Sequence, residues 1–391
     1  MRTIKQNFSV TFSYDVSFTE GVFQPANMLF VNQIEADENK PVPKVLFILD
    51  EGMYTHHPDL FKNIIQYHQT HNSEFQLIKS PVVIPGGEEA KNRAEYVERI
   101  LDNIENFDID RHSYVAVIGG GAVIDTAGYA AGVAHRGIKL IRIPTTVLAQ
   151  NDASVGVKNG VNAYNKKNFL GTFTPPHAVM NDVEFLHTLE MRDWRSGISE
   201  AVKVALIKDE SFFQQLEEDV DRLADRDLVA MKKLIHRCAE LHLEHIRTSG
   251  DPFESGSSRP LDFGHWAAHK LEELSDYKLR HGEAVAIGIA VDSVYSNLIG
   301  ILPNDDLDRI LELIKKCGFD LYVPELEQNM HQPDLKESVL YGLEEFREHL
   351  GGELTIMLID SIGHGLNVHK FDTSYFSHIV EFLKSYEKEL V

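Results

Sequence analysis

The sequence predicts a two-domain α/β protein, with a parallel-sheet domain first and a mostly helical domain after it. Up to about residue 188, apolar segments of strand length alternate with helical segments, which is typical of a parallel sheet covered by helices. From about Leu189 onward, helical periodicity continues with few strand signals. Because 391 residues exceed the size at which a single core usually divides, we expect one domain at 1–188 and a second at 189–391.

Two early segments are predicted to be strands. Residues from Phe8 to Phe18 alternate apolar and polar side chains, which is the period of a half-buried strand or hairpin. Residues 44–50 form a β-branched apolar run that ends in Asp50, as in a buried parallel strand. An aspartate there accepts a hydrogen bond either from a ribose hydroxyl or from the next turn of the chain, and the sequence leaves both open.

The next elements continue the alternation. We expect a helix over 60–71, strand material over 74–84, and a loop over 85–92 that opens a helix over 94–106. Glu88 and Lys91 are three residues apart at this helix start, so they are neighbours on the helix surface. They form either a simple ion pair of the first turn or part of a ligand site.

A strand, three glycines and a helix stand at the centre of the first domain. The apolar run 114–118 precedes Gly119, Gly120 and Gly121, and a segment of small apolar residues follows Asp125. Backbone N–H groups at such a helix start bind a diphosphate, since glycine allows close approach. A tight turn without a ligand is the alternative. A second strand, 139–144, leads into hydroxyl, amide and lysine side chains over 145–168, which strengthens the ligand-site hypothesis.

Charge and cysteine content exclude several partner classes. The net charge of −22 and the pI of about 5.3 would repel nucleic acid and anionic membranes. Cys238 and Cys317 lack CxxC spacing, so we expect no disulfide framework and a cytoplasmic protein, with neither a signal peptide nor a membrane span. The basic residues of the motif region indicate a small anion such as a phosphate ester; they are Arg136, Lys158, Lys166, Lys167 and Lys203.

The helical domain contains residues suited to a metal ion. Glu200 and Lys203 share one face of an apolar helix, where a buried carboxylate needs either a cationic side chain or a divalent cation. His265 and His269 are four residues apart, and His281 opens another helix. One carboxylate with two or three imidazoles is typical of a Zn²⁺ site with an open position, although 19 histidines make chance clustering an alternative.

The order of these motifs resembles the 3-dehydroquinate synthases and their sugar phosphate cyclase relatives, over nearly the whole chain. The matching motifs are GGG-x-x-x-D at 119–125, His-Arg-Gly at 135–137, Pro-Thr-Thr at 144–146, Asp-x-Ser-x-Gly-x-Lys at 152–158, Lys-Asn-x-x-Gly at 167–171, Gly-x-x-Glu-x-x-Lys at 197–203, Phe-Gly-His-x-x-x-His at 263–269 and His-Gly-Glu-Ala-Val at 281–285.

The resemblance implies a Rossmann-like NAD-binding domain, a helical metal-binding domain and a multistep reaction. In the family, NAD⁺ transiently oxidises a hydroxyl of a seven-carbon sugar phosphate, phosphate is eliminated, the hydride returns, and an aldol addition closes a carbocycle. The resemblance also implies Zn²⁺ or Co²⁺ and a homodimer, to which each subunit contributes Arg136 across the interface.

The resemblance also implies a role for individual residues. The NAD site would comprise Asp50, Glu88, Lys91, Gly120, Gly121, Asp125, Thr145, Thr146 and Lys167. The metal ligands would be Glu200, His265 and His281, and the catalytic or substrate-facing residues would be Asp152, Lys158, Asn168, Lys203, His269, Asp262 and Arg136.

Departures from the family pattern concentrate around the substrate. Asp262 replaces an asparagine, and aligning without gaps places Ser258 and Glu244 where the family has an arginine and a lysine; Arg259 is a partial substitute. Arg347 and His349 are the candidates to replace a lysine that binds phosphate in the family and lies late in its sequence. Because lost cations disfavour a carboxylated substrate, we expect a substrate of the sedoheptulose 7-phosphate type.

Three other functions remain alternatives. The first is a true 3-dehydroquinate synthase, and the second is an NAD- and metal-dependent polyol dehydrogenase of the glycerol dehydrogenase type, which would accumulate NADH. The third is a catalytically silent scaffold, which the intact metal positions disfavour.

Overall fold

The computed structural model describes residues 2–35, 39, 41–164, 166–253, 261–349 and 351–389. The chain divides into two compact units. The first unit comprises Met1–Thr145 and Gly156–Glu184, and the second comprises Thr146–Val155 and Phe185–Val391.

The first unit is built on a parallel sheet of seven strands, in the order β1-β9-β6-β5-β2-β3, with β4 also paired to β2. The strands are β1 (Asp15–Thr19), β2 (Lys44–Asp50), β3 (Gln76–Leu77), β4 (Val82–Ile84), β5 (Tyr114–Gly119), β6 (Lys139–Pro144) and β9 (Ala178–Asp182). An antiparallel hairpin of β7 (Lys158–Ala163) and β8 (Lys166–Phe173) stands apart from this sheet. The helices are α1 (Leu29–Asn32), α2 (Gly52–His56), α3 (Leu60–Thr70), α4 (Glu89–Asn92), α5 (Ala94–Asn106) and α6 (Gly121–Val133).

The strand order reverses at β2 and β5. The chain passes from β2 outward to β3 and β4, and then returns to place β5 on the other side of β2. Asp50 is the last residue of β2 and Gly119 the last of β5. Ligands of open α/β sheets bind at the carboxyl ends of the strands where such a reversal occurs.

The prediction of a half-buried strand from Phe8 to Phe18 is wrong for most of its length. Only Asp15–Thr19 forms a strand, paired in parallel with β9. Phe8 and Val10 are exposed by 76% and 63%, so the alternating pattern here does not reflect burial in a sheet. Period-two alternation predicts a strand only where a neighbouring strand supplies hydrogen bonds.

The second unit is mostly helical, so the predicted fold class is confirmed. Its helices are α7 (Met191–Lys208), α8 (Glu210–Ala224), α9 (Leu228–Thr248), α10 (His265–Leu274), α11 (His281–Leu298), α12 (Asn304–Lys316), α13 (Tyr341–His349) and α14 (Phe376–Glu389). A late strand, β10 (Ile356–Ser361), pairs antiparallel with β11 (His364–Val368). None of the helices within the described ranges has both the length and the apolar character needed to cross a membrane.

Helices α10 and α11 approach each other through two glycines. Gly264 caps α10 with a φ of +77°, a conformation that favours glycine. A Cβ atom added to Gly288 of α11 would lie 2.0 Å from the Gly264 carbonyl oxygen. The buried Asp292 carboxylate links the same helices, because it accepts hydrogen bonds from the Gly264 N–H and the Trp266 indole, both at 2.9 Å.

Replacing Gly288 with alanine should force these two helices apart. We expect the Gly288→Ala substitution to lower the free energy of unfolding by about 1–3 kcal/mol, as overpacking of a core does. Urea unfolding would measure the loss. The Leu298→Ala control changes a 40% exposed residue at the end of the same helix, and should alter stability by less than about 0.5 kcal/mol. Equal stability of Gly288→Ala and wild type would contradict the close approach.

Candidate active site

The end of β2 is organised around Asp50. Its Oδ1 atom accepts a hydrogen bond from the Gly52 N–H at 2.9 Å, and the carboxylate also accepts one from the Gly120 N–H. Burial raises the pKa of Asp50, against the lowering effect of these two N–H groups. A Cβ atom at Gly86 would lie 2.7 Å from Asp50 Oδ1, and one at Gly119 would lie 3.0 Å from its Cβ. Both glycines therefore make room for this side chain.

A second group of predicted residues meets around Lys91. The buried Lys91 ammonium pairs with Asp125 Oδ2 at 2.7 Å and donates to Asn168 Oδ1. Glu88 instead accepts a hydrogen bond from the Asn162 amide at 2.8 Å. The alternative of a Glu88–Lys91 ion pair is therefore wrong, because Lys91 points to α6 and β8 rather than along its own helix.

The other predicted residues of the first unit lie on α6, β7 and β8 and directly after β6 and α6. The Thr145 N–H donates to the Gly119 carbonyl at 3.0 Å, and Gly121 is the first residue of α6. Lys158 begins β7 with an exposed side chain, and Lys167 lies in β8 half-buried. Arg136 is exposed in a turn after α6, where it and the two flanking residues have positive φ angles.

The second unit brings all three predicted metal ligands together. Glu200 is fully buried on α7, and the Nε2 atoms of His265 and His281 lie 3.6 Å and 3.4 Å from its Oε1. One donor atom from each of the three residues lies within 4.8 Å of the others. Lys203 forms an ion pair with the other oxygen of Glu200.

The charges of this cluster depend on one another. Burial alone would raise the pKa of Glu200, but Lys203 and the two histidines hold it well below its ordinary value. Burial and Lys203 lower the pKa of His265 to about 4. Burial would also lower the pKa of His281, but Glu272 and Glu200 outweigh it and raise that pKa to about 10.

These residues fit a divalent cation. Glu200 is a fully buried carboxylate, and its Oε1 atom, on the side away from Lys203, faces the Nε2 atoms of two histidines, where a divalent cation would compensate its charge. The Nδ1 atom of His265 contacts the Phe263 carbonyl, and the Nδ1 atom of His281 contacts the Glu272 carboxylate, each at 3.2 Å. Both Nε2 atoms are therefore left facing Glu200. A carboxylate with two imidazole nitrogens is a donor set for Zn²⁺ or Co²⁺.

Asp152 lies beside this cluster on a π-helical turn, Ala149–Ala153. The His242 Nδ1 atom is 2.8 Å from Asp152 Oδ1. Burial and Glu200 act to raise the pKa of Asp152, but His242 and Lys203 outweigh them, so the pKa is lowered. The sequence analysis did not identify His242, because His242 is distant from Asp152 in the sequence and no local motif connects the two residues.

Glu272 was also missed, although a signal existed. It lies seven residues after His265 on α10, two helical turns along the same face. Its carboxylate is 3.2 Å from the Nδ1 atom of His281.

The residues that depart from the family pattern occupy different surroundings. Asp262 precedes α10, and its charge helps to raise the pKa of Lys203, which burial would otherwise lower. Glu244 lies on the exposed face of α9, 4.0 Å from Arg247. Arg347 pairs with Glu344 and donates to the Gly352 carbonyl at 3.0 Å. Ser258, Arg259 and the side chain of His349 lie outside the described part of the chain.

His269 and Thr146 are the remaining predicted residues of the second unit. It is exposed on α10, with its ring centroid 5.4 Å from that of His265 and 5.9 Å from that of His281. Thr146 begins the segment that continues into the π-helical turn, and its hydroxyl accepts a hydrogen bond from the Ala149 N–H at 3.2 Å.

Both units match family models. The model for the N-terminal region of 3-dehydroquinate synthase matches residues 81–196, and the model for its C-terminal region matches residues 197–339.

Individual relatives agree with these matches. A 3-dehydroquinate synthase of Pelobacter propionicus is 38% identical over 248 residues, which are 63% of this chain and 68% of that protein. One from Coxiella burnetii is 32% identical over 339 residues, 86% of this chain and 89% of that protein. Among solved structures, a 2-epi-5-epi-valiolone synthase of Streptomyces hygroscopicus with NAD⁺ and Zn²⁺ bound is 28% identical, with a TM-score of 0.85 over 98% of this chain and 100% of that one.

Removing Lys203 should destabilise the protein, because the buried Glu200 carboxylate loses its cationic partner. We expect Lys203→Ala to lower the free energy of unfolding of the metal-free protein by about 3 kcal/mol, the low end for a broken buried pair, since His281 still faces Glu200. The loss should shrink as the pH falls through the lowered pKa of Glu200, because protonation removes the charge that Lys203 compensates.

Urea unfolding with and without Zn²⁺ measures this effect. Added zinc should restore most of the lost stability by compensating Glu200 in place of Lys203. Lys208→Ala, which removes an exposed lysine from the same helix, is the matched control. If Lys203→Ala were as stable as this control, Glu200 would not depend on Lys203.

Proposed function

Because the chain belongs to the 3-dehydroquinate synthase family, we propose that it is a sugar phosphate cyclase whose substrate is a seven-carbon ketose phosphate with an uncharged head, of the sedoheptulose 7-phosphate type. The reaction converts this substrate to a carbocycle through transient oxidation, phosphate elimination and intramolecular aldol closure. It depends on NAD and on a divalent metal.

One observation carries the preference for an uncharged head. Lys203 lies among three carboxylates, Glu200, Asp152 and Asp262, which together raise its pKa. A carboxylate on the substrate would add a further negative charge to this cluster, and like charges brought together in a binding site cost several kcal/mol. A hydroxylated head avoids that cost.

True 3-dehydroquinate synthase activity is the second candidate. The curated relatives at 32–38% identity bear that name, whereas the solved relative at 28% identity is a valiolone synthase. Overall sequence identity therefore supports the carboxylated substrate of 3-dehydroquinate synthase. The altered charges support the substrate with an uncharged head.

The first unit is proposed to bind NAD, which when bound supplies a reversible hydride acceptor. Gly120 and Gly121 begin α6, whose free N–H groups suit a diphosphate. Asp50 lies beside them, and its carboxylate suits a ribose hydroxyl. The proposed NAD site comprises Asp50, Glu88, Lys91, Gly120, Gly121, Asp125, Thr145, Thr146 and Lys167.

Glu200, His265 and His281 are proposed to hold Zn²⁺ or Co²⁺. When bound, the metal supplies Lewis acidity to a substrate hydroxyl oxygen. The similarity to a relative solved with NAD⁺ and Zn²⁺ supports both cofactor assignments.

The proposed substrate-facing residues have distinct roles. Lys203 stays protonated at neutral pH because its pKa is raised, so it acts as a cation and not as a base. Asp152 stays ionised because its pKa is lowered, so it accepts hydrogen bonds from hydroxyl groups. His269 is exposed and suited to exchanging a proton with solvent. Lys158 and Asn168 of the first unit and Asp262 of the second complete the proposed set.

The quaternary structure and compartment are proposed from the family resemblance. We propose a cytoplasmic homodimer in which Arg136 acts across the subunit interface. Its exposure on a turn of positive-φ residues is compatible with that role.

Phosphate release with two substrates tests the proposed specificity. The purified protein, with NAD⁺ and Zn²⁺, should release phosphate from sedoheptulose 7-phosphate and not from the carboxylated heptulosonate phosphate that 3-dehydroquinate synthases use. NADH should not accumulate, because the hydride returns to the product. Release from the carboxylated substrate alone would make the protein a 3-dehydroquinate synthase, and net NADH formation with a polyol would indicate a dehydrogenase.

Neutralising Asp262 should relax the discrimination. We expect Asp262→Asn to raise the ratio of kcat/KM for the carboxylated substrate over the neutral one by about tenfold or more, which corresponds to about 1.4 kcal/mol of repulsion removed. Asp276→Asn is the control, since this exposed aspartate follows the other end of α10. An unchanged ratio in Asp262→Asn would show that Asp262 does not select the substrate.

A further inference from the structure

Glu272 is a buried carboxylate without a role in the proposed reaction. It lies in the last turn of α10, and only 4% of its surface is exposed. Its Oε2 atom is 3.2 Å from the Nδ1 atom of His281, which is hydrogen-bonding distance. The Nε2 atom of the same ring lies 3.4 Å from Glu200. The His281 ring therefore lies between two buried carboxylates.

We propose that Glu272 is a positioning residue that fixes the tautomer and the orientation of His281, so that its Nε2 atom presents a lone pair to the metal. This inference rests on the metal centre of the proposed function. A neutral imidazole carries a proton on one nitrogen and a lone pair on the other. By accepting a hydrogen bond from Nδ1–H, Glu272 leaves the lone pair on Nε2, which becomes the metal-binding atom.

His281 needs such a partner more than His265 does. The side chain of His265 is only 9% exposed, and the Phe263 carbonyl accepts from its Nδ1 atom. The side chain of His281 is 28% exposed, so packing restricts its ring less. We infer that the Glu272 carboxylate supplies the orientation that packing does not.

The same side chains suggest a second cation site as an alternative, which the protonation of the His281 ring disfavours. His269, Glu272 and His281 have ligand atoms within 4.8 Å of one another, so they resemble a second cation site. His281 would then have to bind one metal through each nitrogen, which requires loss of both ring protons. Since the first metal position already uses Nε2, Glu272 serves better as the acceptor for Nδ1–H.

Zinc affinity of two Glu272 variants tests the proposal. Glu272→Ala removes the acceptor, and Glu272→Gln keeps an acceptor oxygen but removes the charge. Substitutions of such outer partners weaken metal binding by about 10–100-fold. We expect a loss in that range for Glu272→Ala and a smaller loss for Glu272→Gln, measured by competition with a chromophoric chelator.

Glu273→Gln is the matched control. This neighbouring glutamate is 56% exposed and pairs with Lys270, which keeps its second partner, Glu345. The control should bind zinc as tightly as wild type. The visible spectrum of the Co²⁺-substituted protein provides a readout that a general loss of stability does not mimic, and it should change in both Glu272 variants but not in the control.

The outcomes separate this inference from the proposed function. Failure of the wild-type protein to bind zinc would overturn the metal centre itself. Zinc affinity within twofold of wild type and an unchanged Co²⁺ spectrum in folded Glu272→Ala would overturn the positioning role alone. Two zinc ions per chain in wild type, falling to one in Glu272→Ala, would identify Glu272 as a ligand instead. If Glu272→Ala does not fold, the same comparison between Glu272→Gln and the control decides the matter.

Discussion

Burial of the Glu200 carboxylate is the constraint on which the second unit depends. A carboxylate stripped of water costs several kcal/mol unless opposite charge surrounds it. Lys203 supplies part of that charge from the same helix, and His281, whose pKa is raised to about 10, supplies more from the start of α11. The close approach of α10 and α11 also brings the Nε2 atoms of His265 and His281 to this one carboxylate.

Asp50 plays a comparable part in the first unit, by steric means. Its side chain occupies the space that Cβ atoms at Gly86 and Gly119 would need, and it accepts the N–H groups of the turns that follow β2 and β5. The glycines near these strand ends thus serve two purposes. Some make room for the aspartate, while Gly120 and Gly121 leave the start of α6 accessible to a ligand.

Features set by local spacing were predictable from the sequence, and those set by tertiary packing were not. The i, i+3 relation of Glu200 and Lys203 and the strand–glycine–helix order follow from helix and strand geometry alone. By contrast, Glu88 and Lys91 have the same spacing and do not pair, because Asp125 on α6 competes for the lysine. The His242–Asp152 contact joins residues that are distant in sequence, and no periodic pattern signals such a pair. The site residues drawn from family motifs remain predictions in their individual roles.

The charge balance of the second unit bears on the proposed substrate preference. Glu200, Asp152 and Asp262 are three negative charges, and Lys203 with a bound divalent cation would supply three positive ones. The buried Glu272 adds a fourth negative charge, so these groups have no excess positive charge to offer a substrate carboxylate even with the metal in place. Restoring the asparagine of the family pattern at position 262 would remove one of these negative charges. In the proposed function, Asp262 is therefore the carboxylate near Lys203 that favours a hydroxylated sugar over an acid.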